Sequence, residues 1–244
     1  MKKVLFLSIF LSIFSSIFAE QDLLVISKES LEASSQQPKK EAELICGDGN
    51  AKTCFDNATF VLSSNTKDRT KLKMAVKNLE TACDNEEFLA CFELGKLYEK
   101  GEIVKQNFLE AHYNYQRACD ENIFPACVNL GAMFKKGWKV EQNLLKTKDF
   151  YEKACNGGDA RGCTNLGFLY YKGDGVKQNF KRAEAYFNQG CDGENMQGCF
   201  NVATMYNSGN GVKKDLLKAA RLYKRSCDSG MKEACVAYDE MRLF

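Results

Sequence analysis

The sequence predicts an all-helical solenoid: about five helix–loop–helix repeats of 36 residues, with partial caps, stapled by disulfides. Three observations carry that prediction. Twelve cysteines fall in pairs at 46/54, 83/91, 119/127, 155/163, 191/199 and 227/235, each pair separated by eight positions. Successive pairs follow at 37 residues once and at 36 thereafter. Within each period the apolar residues recur at helical spacing. A fixed period of this size marks stacked supersecondary units, each of which buries a core only against its neighbours.

Four units, starting at Cys91, Cys127, Cys163 and Cys199, align without gaps. In CTNLGFLYYKGDGVKQNFKRAEAYFNQGCDGENMQG, residues Cys163, Leu166, Gly167, Leu169 and Tyr170 share one face of a first helix. Gly173 stops that helix, as Gly101, Gly137 and Gly209 do in the other units. A short loop follows, with Val104, Val140, Val176 or Val212 plugging the gap under the turn. Asn107, Asn143, Asn179 and Asp215 then form one column of N-caps for a second helix. Its buried stripe includes Ala183, Phe187 and Gly190, and small residues at Gly167 and Ala183 let the two helices approach closely.

On this reading Cys155 ends one unit's second helix, Cys163 opens the next unit's first, and NGGDARG is the turn between them. Folding that hairpin brings the two cysteines together. The expected bridges are Cys46–Cys54, Cys83–Cys91, Cys119–Cys127, Cys155–Cys163, Cys191–Cys199 and Cys227–Cys235. Each short closure contributes about 2.6 kcal/mol by loop entropy, which makes the bridges structural.

The edges of the chain differ from its middle. Residues 1–19, MKKVLFLSIFLSIFSSIFA, combine Lys2 and Lys3 with an apolar run and a small residue, the form of a secretory signal peptide. Residues 20–40 are polar and without period, and read as a flexible leader. The solenoid is expected over 41–244, with repeats starting near 54, 91, 127, 163 and 199. Glu41 to Cys46 reads as a truncated second helix. The unit from Cys54 has one extra residue and offers SSNTKDRTK in place of the glycine stop, and 235–244 is an unpaired first helix acting as a cap. Export and twelve cysteines together point to an oxidising compartment, periplasmic or secreted.

Composition excludes several functions. The 34 basic and 32 acidic residues reach parity once the two leader lysines are removed. That balance gives no support to nucleic-acid binding or to a polybasic membrane contact, and no membrane span follows the leader. One histidine, His112, and cysteines spaced by eight rather than two to four argue against metal; no metal or other cofactor is expected.

The LGxxY, GxxV and A…Y…A columns resemble the Sel-one-like repeat (SLR), a relative of the tetratricopeptide repeat. With a paired cysteine in each repeat behind a signal peptide, residues 46–244 are similar to the cysteine-rich Hcp family of exported bacterial proteins. That resemblance implies a right-handed α/α superhelix with bridged cysteine pairs. It also implies either a penicillin-binding or β-lactamase activity, on a β-lactam or peptidoglycan-like molecule, or binding of a peptide or protein.

The enzymatic branch finds little in the residues. Ser64-Asn65-Thr66-Lys67 and Ser229-Gly230-Met231-Lys232 match S-x-x-K, but neither S-D-N nor K-T-G occurs. Catalytic residues therefore stay unassigned. The binding branch has a geometric basis. Residues two, five and nine places after each repeat's second cysteine point away from the core, and in related solenoids first helices line the concave side. Asn129, Asn165 and Asn201 form a ladder able to donate to and accept from an extended peptide, or to brace adjacent repeats. Lys100, Lys136 and Lys172 add a positive track for an acidic segment or a C-terminal carboxylate, and Phe168 offers an apolar anchor. The expected activity is peptide or protein binding on the concave face, with β-lactam binding or hydrolysis as the alternative.

Overall fold

A computed structural model of the chain describes Cys46 and residues 50–242. The expected signal peptide, the leader and the segment from Glu41 up to Cys46 lie outside the described residues. Eleven α-helices and no strands occur among the described residues. They form five antiparallel pairs, each a first (A) helix and a second (B) helix: α1 (Ala51–Ser63) with α2 (Arg69–Asp84), α3 (Phe88–Lys100) with α4 (Phe108–Asp120), α5 (Phe124–Lys136) with α6 (Leu144–Asn156), α7 (Ala160–Lys172) with α8 (Phe180–Asp192), and α9 (Met196–Ser208) with α10 (Leu216–Asp228). A single A helix, α11 (Lys232–Arg242), packs on α10. Each helix touches the ones before and after it, so one continuous core runs the length of the stack.

The expected caps are in place. Gly101, Gly137, Gly173 and Gly209 end α3, α5, α7 and α9 in the left-handed conformation, with φ of 73°, 68°, 79° and 76°. Asn107, Asn143, Asn179 and Asp215 each accept a backbone N–H of the following helix. In the divergent first unit Asn65 takes the positive φ, 50°, and Asp68 caps α2. A glutamine column completes the loop. The amides of Gln106, Gln142 and Gln178 donate to the carbonyls of Glu99, Lys135 and Tyr171 at 2.7 to 2.9 Å, satisfying the ends of the A helices.

Packing within each pair rests on a small residue under an aromatic ring. A Cβ placed on Gly95 or Gly131 would meet the rings of Tyr115 or Tyr151 at 2.5 Å, and one on Gly167 would meet Phe187 at 2.7 Å. A buried Ala203 takes the equivalent position in the last pair. The buried faces expected from the sequence hold: Cys163, Leu166, Gly167, Leu169 and Tyr170 on α7, and Ala183, Phe187 and Gly190 on α8.

All six cysteine pairs are bonded as expected, with Cα–Cα distances of 4.4 to 4.9 Å. The turn between them is shorter than NGGDARG, however. Each A helix from α3 onward starts three residues before its cysteine, and each B helix runs one residue beyond its own. For α7 the cause is Asp159, which accepts the N–H of Arg161 at 2.9 Å and starts the helix at Ala160. A further contact ties repeats together. Arg117 and Lys153 donate to the carbonyls of Cys83 and Cys119 at 2.8 and 2.7 Å, capping the preceding B helix with positive charge.

Candidate binding groove

Curvature decides which helices form the inner wall. α5 meets α7 and α7 meets α9 across a repeat, a closeness that successive B helices do not reach. The A helices of the middle repeats thus approach one another more closely than the B helices do, the arrangement of an inner wall.

The structure brings only part of the expected site together. Lys100 and Asn129 border one cleft of about 310 Å³, lined also by Phe92, Lys96, Glu99, Tyr115 and Arg161. Three successive A helices contribute: α3 supplies Phe92, Lys96, Glu99 and Lys100, α5 supplies Asn129, and α7 supplies Arg161. The remaining expected residues lie elsewhere. Lys136 places its ammonium 4.0 Å from the centre of the Trp138 ring. Lys172 is exposed outside the cleft. Phe168 is half-buried, edge-on to Phe187 at 5.2 Å, so much of it is committed to packing. Asn165 is half-buried on the same wall. Asn201 accepts the Gln197 amide at 3.0 Å, and its own amide nitrogen is buried without a partner.

Inside the cleft the polar groups are held in place. The Tyr115 hydroxyl donates to Glu99 at 2.6 Å and is also hydrogen-bonded to Asn129, which ties α4 to α5. Burial, reinforced by the Glu99 carboxylate, holds that phenol above its ordinary pKa, so it remains a donor. Asn129 thus braces repeats and borders the cleft at once. Lys96 pairs with Glu93 at 2.7 Å and lies 5.3 Å from the centre of the Phe92 ring. Arg161 is chelated by Asp159, which is 90% buried while the arginine is half exposed. Lys100 enters no ion pair among the described residues. Three cationic side chains therefore border an aromatic floor, two of them paired with carboxylates and Lys100 not.

Arg161 is the residue that sequence reasoning missed. Arg161 was assigned to a turn; once α7 begins at Ala160, the arginine becomes a first-turn residue that reaches inward. Lys96 sits five places after Cys91, in the same column as Phe168, and was legible as such.

The two S-x-x-K serines are helix ends. The Ser64 hydroxyl donates to the Val61 carbonyl at 2.7 Å and the Ser229 hydroxyl to that of Arg225 at 3.1 Å, and both residues are exposed. Among the described residues no cluster of His, Cys, Asp and Glu is arranged to hold a metal, and no helix is long and apolar enough to cross a membrane.

Comparison with known proteins agrees with this architecture. The Sel1 repeat profile matches residues 89–123, 125–159, 160–195 and 197–231, more than half of the chain. Among solved structures the chain is similar to c5321, described as a protective antigen of uropathogenic Escherichia coli with an SLR fold. The identity is 26% over 84% of this chain, with a TM-score of 0.74. The match spans 43% of that protein's length. A Sel1 repeat protein from Oxalobacter formigenes is 25% identical over 76% of each chain, with a TM-score of 0.71. Cysteine rich protein B of Helicobacter pylori is 28% identical over 56% of this chain and 98% of its own, with a TM-score of 0.45. No curated protein matches the chain.

Proposed function

The chain belongs to the Sel1 repeat family, and from that premise we propose that it is an exported binding protein that captures a peptide or protein segment on its inner face. The observation that carries the reading is the cleft between Lys100, Asn129 and Arg161. Three repeats converge there, Lys100 is left without a counter-ion, and Phe92 and Tyr115 form an apolar floor. Such a site suits a carboxylate, either an acidic side chain or a chain terminus, set beside an apolar group. Asn129 serves both roles weighed above, bracing at Tyr115 and edge contact toward the ligand. The six disulfides, with a leader of signal-peptide form, support an extracytoplasmic destination, since such bonds persist in oxidising compartments.

The test is a screen of the oxidised protein against peptides that vary in acidic content and in a free or amidated C-terminus. Binding by the parent that is lost in a Lys100→Glu/Arg161→Glu variant with an unchanged unfolding midpoint supports the reading. Binding that survives both reversals rules out this cleft.

A further inference from the structure

Three of the exposed leucines of this stack recur in register. Leu109, Leu145 and Leu217 are 61%, 65% and 75% exposed, and each is the second residue of its B helix, in α4, α6 and α10. Repetition sets them along one edge, the edge made by the A-to-B loops. Leu216, 49% exposed, adjoins the last of them. A helix position facing solvent has no packing reason to be leucine three times.

At the last pair this edge gains charge. Lys181, Lys213 and Lys214 border, with Leu216 and Leu217, an open depression of about 780 Å³. The two acids that share it are engaged internally. Glu184 accepts the Tyr206 hydroxyl, and Asp215 accepts the N–H of Lys218 at 2.9 Å as the cap of α10. Lys218 itself lies over the Tyr206 ring, 4.1 Å from its centre. Lys181, Lys213 and Lys214 are exposed and form no ion pair among the described residues. Overall charge parity conceals this cluster, and the exposed Glu110 and Glu141 beside the earlier leucines confine the cationic stretch of the edge to its last pair.

We propose that this loop edge docks on an anionic phospholipid surface. Lys181, Lys213 and Lys214 meet the headgroup phosphates, and Leu216 and Leu217 enter the acyl boundary. The pairing of unpartnered cations with exposed leucines selects that occupant. A nucleic acid would match the lysines but give the leucines nothing to contact, and a second copy docked edge to edge would set lysine against lysine.

The experiment is co-sedimentation of the oxidised, exported protein with vesicles of phosphatidylglycerol and phosphatidylcholine, beside vesicles of phosphatidylcholine alone. The parent should prefer the anionic vesicles and release in high salt. A Lys213→Gln/Lys214→Gln variant should partition about 30-fold less, as the loss of two lysines near an anionic surface implies. Leu216→Ser/Leu217→Ser should lose about tenfold. Since parent and variants share the same N-terminal segment, their difference reads this edge alone. Equal partition to both vesicle types, or unchanged partition in both variants, overturns the proposal. So does a parent dimer in size-exclusion chromatography that Leu216→Ser/Leu217→Ser converts to monomer, because the occupant is then a second copy.

Discussion

Replacing Gly167 with alanine measures how closely the helix pairs must approach. The new methyl would sit 2.7 and 2.8 Å from Cδ1 and Cε1 of Phe187, inside the contact distance of carbon atoms. Phe187 cannot swing away: it is 1% exposed and held by Phe168 at 5.2 Å and Tyr171 at 6.3 Å, centre to centre. Overpacking of this kind costs about 1–3 kcal/mol. Alanine in a helix interior returns about 1 kcal/mol relative to glycine. The expected net effect is a loss of about 1 kcal/mol, read as a lower urea midpoint at constant slope. The last pair holds a buried Ala203 at the same register position, so the helix backbones admit a methyl there; in the Gly167 pair it is the present placement of the Phe187 ring that sets the limit. In a Phe187→Leu background the same substitution should therefore become neutral or favourable. A Gly167→Ala protein as stable as the parent, or equal effects in both backgrounds, would refute the packing argument.

Three further outcomes are expected. Burial and, secondarily, the Lys146 charge lower the pKa of His112, the one histidine of the chain, so the unfolded state binds its proton first. Stability is then full above about pH 6.5 and declines as pH falls through the lower folded value. The decline is small because the ring is half exposed, and thermal scans of His112→Gln should show it flattened. Glu194 holds a left-handed φ of 65° in an inter-repeat turn where Gly158 and Gly230 serve elsewhere. Glu194→Gly should raise stability by about 0.5–1 kcal/mol in equilibrium unfolding, and a decrease would show that the glutamate is held by a contact that outweighs its strain. Removing one bridge, as Cys155→Ala/Cys163→Ala, should cost about 2–3 kcal/mol while leaving the helical circular dichroism intact. A loss of helix throughout would show instead that the bridge is needed for folding rather than for stability.

The features read correctly from the sequence are those whose causes are short in range. The glycine stops, the asparagine caps and the small residues under the rings each depend on neighbours within one repeat. The A helices start earlier than the cysteine spacing predicts, for an equally local reason. The backbone responds to the cap at Asp159, four places before Cys163. The Gln106, Gln142 and Gln178 column was visible as a repeat of polar residues, but its partners, carbonyls seven residues back, exist only after the loop closes.

By itself, then, the sequence determined the period, the helix pairs, the cysteine partners eight residues apart and the membership of the repeat family. All of these follow from local geometry multiplied by repetition. Tertiary structure alone decided which charges act together. Lys100, Lys136 and Lys172 are equivalent in register, yet the first borders a cleft with Arg161 from two repeats away. The second is drawn onto Trp138, and the third stands outside in solvent. A period places side chains on a face; the curvature of the stack and the neighbour each long side chain meets determine where its charge comes to rest.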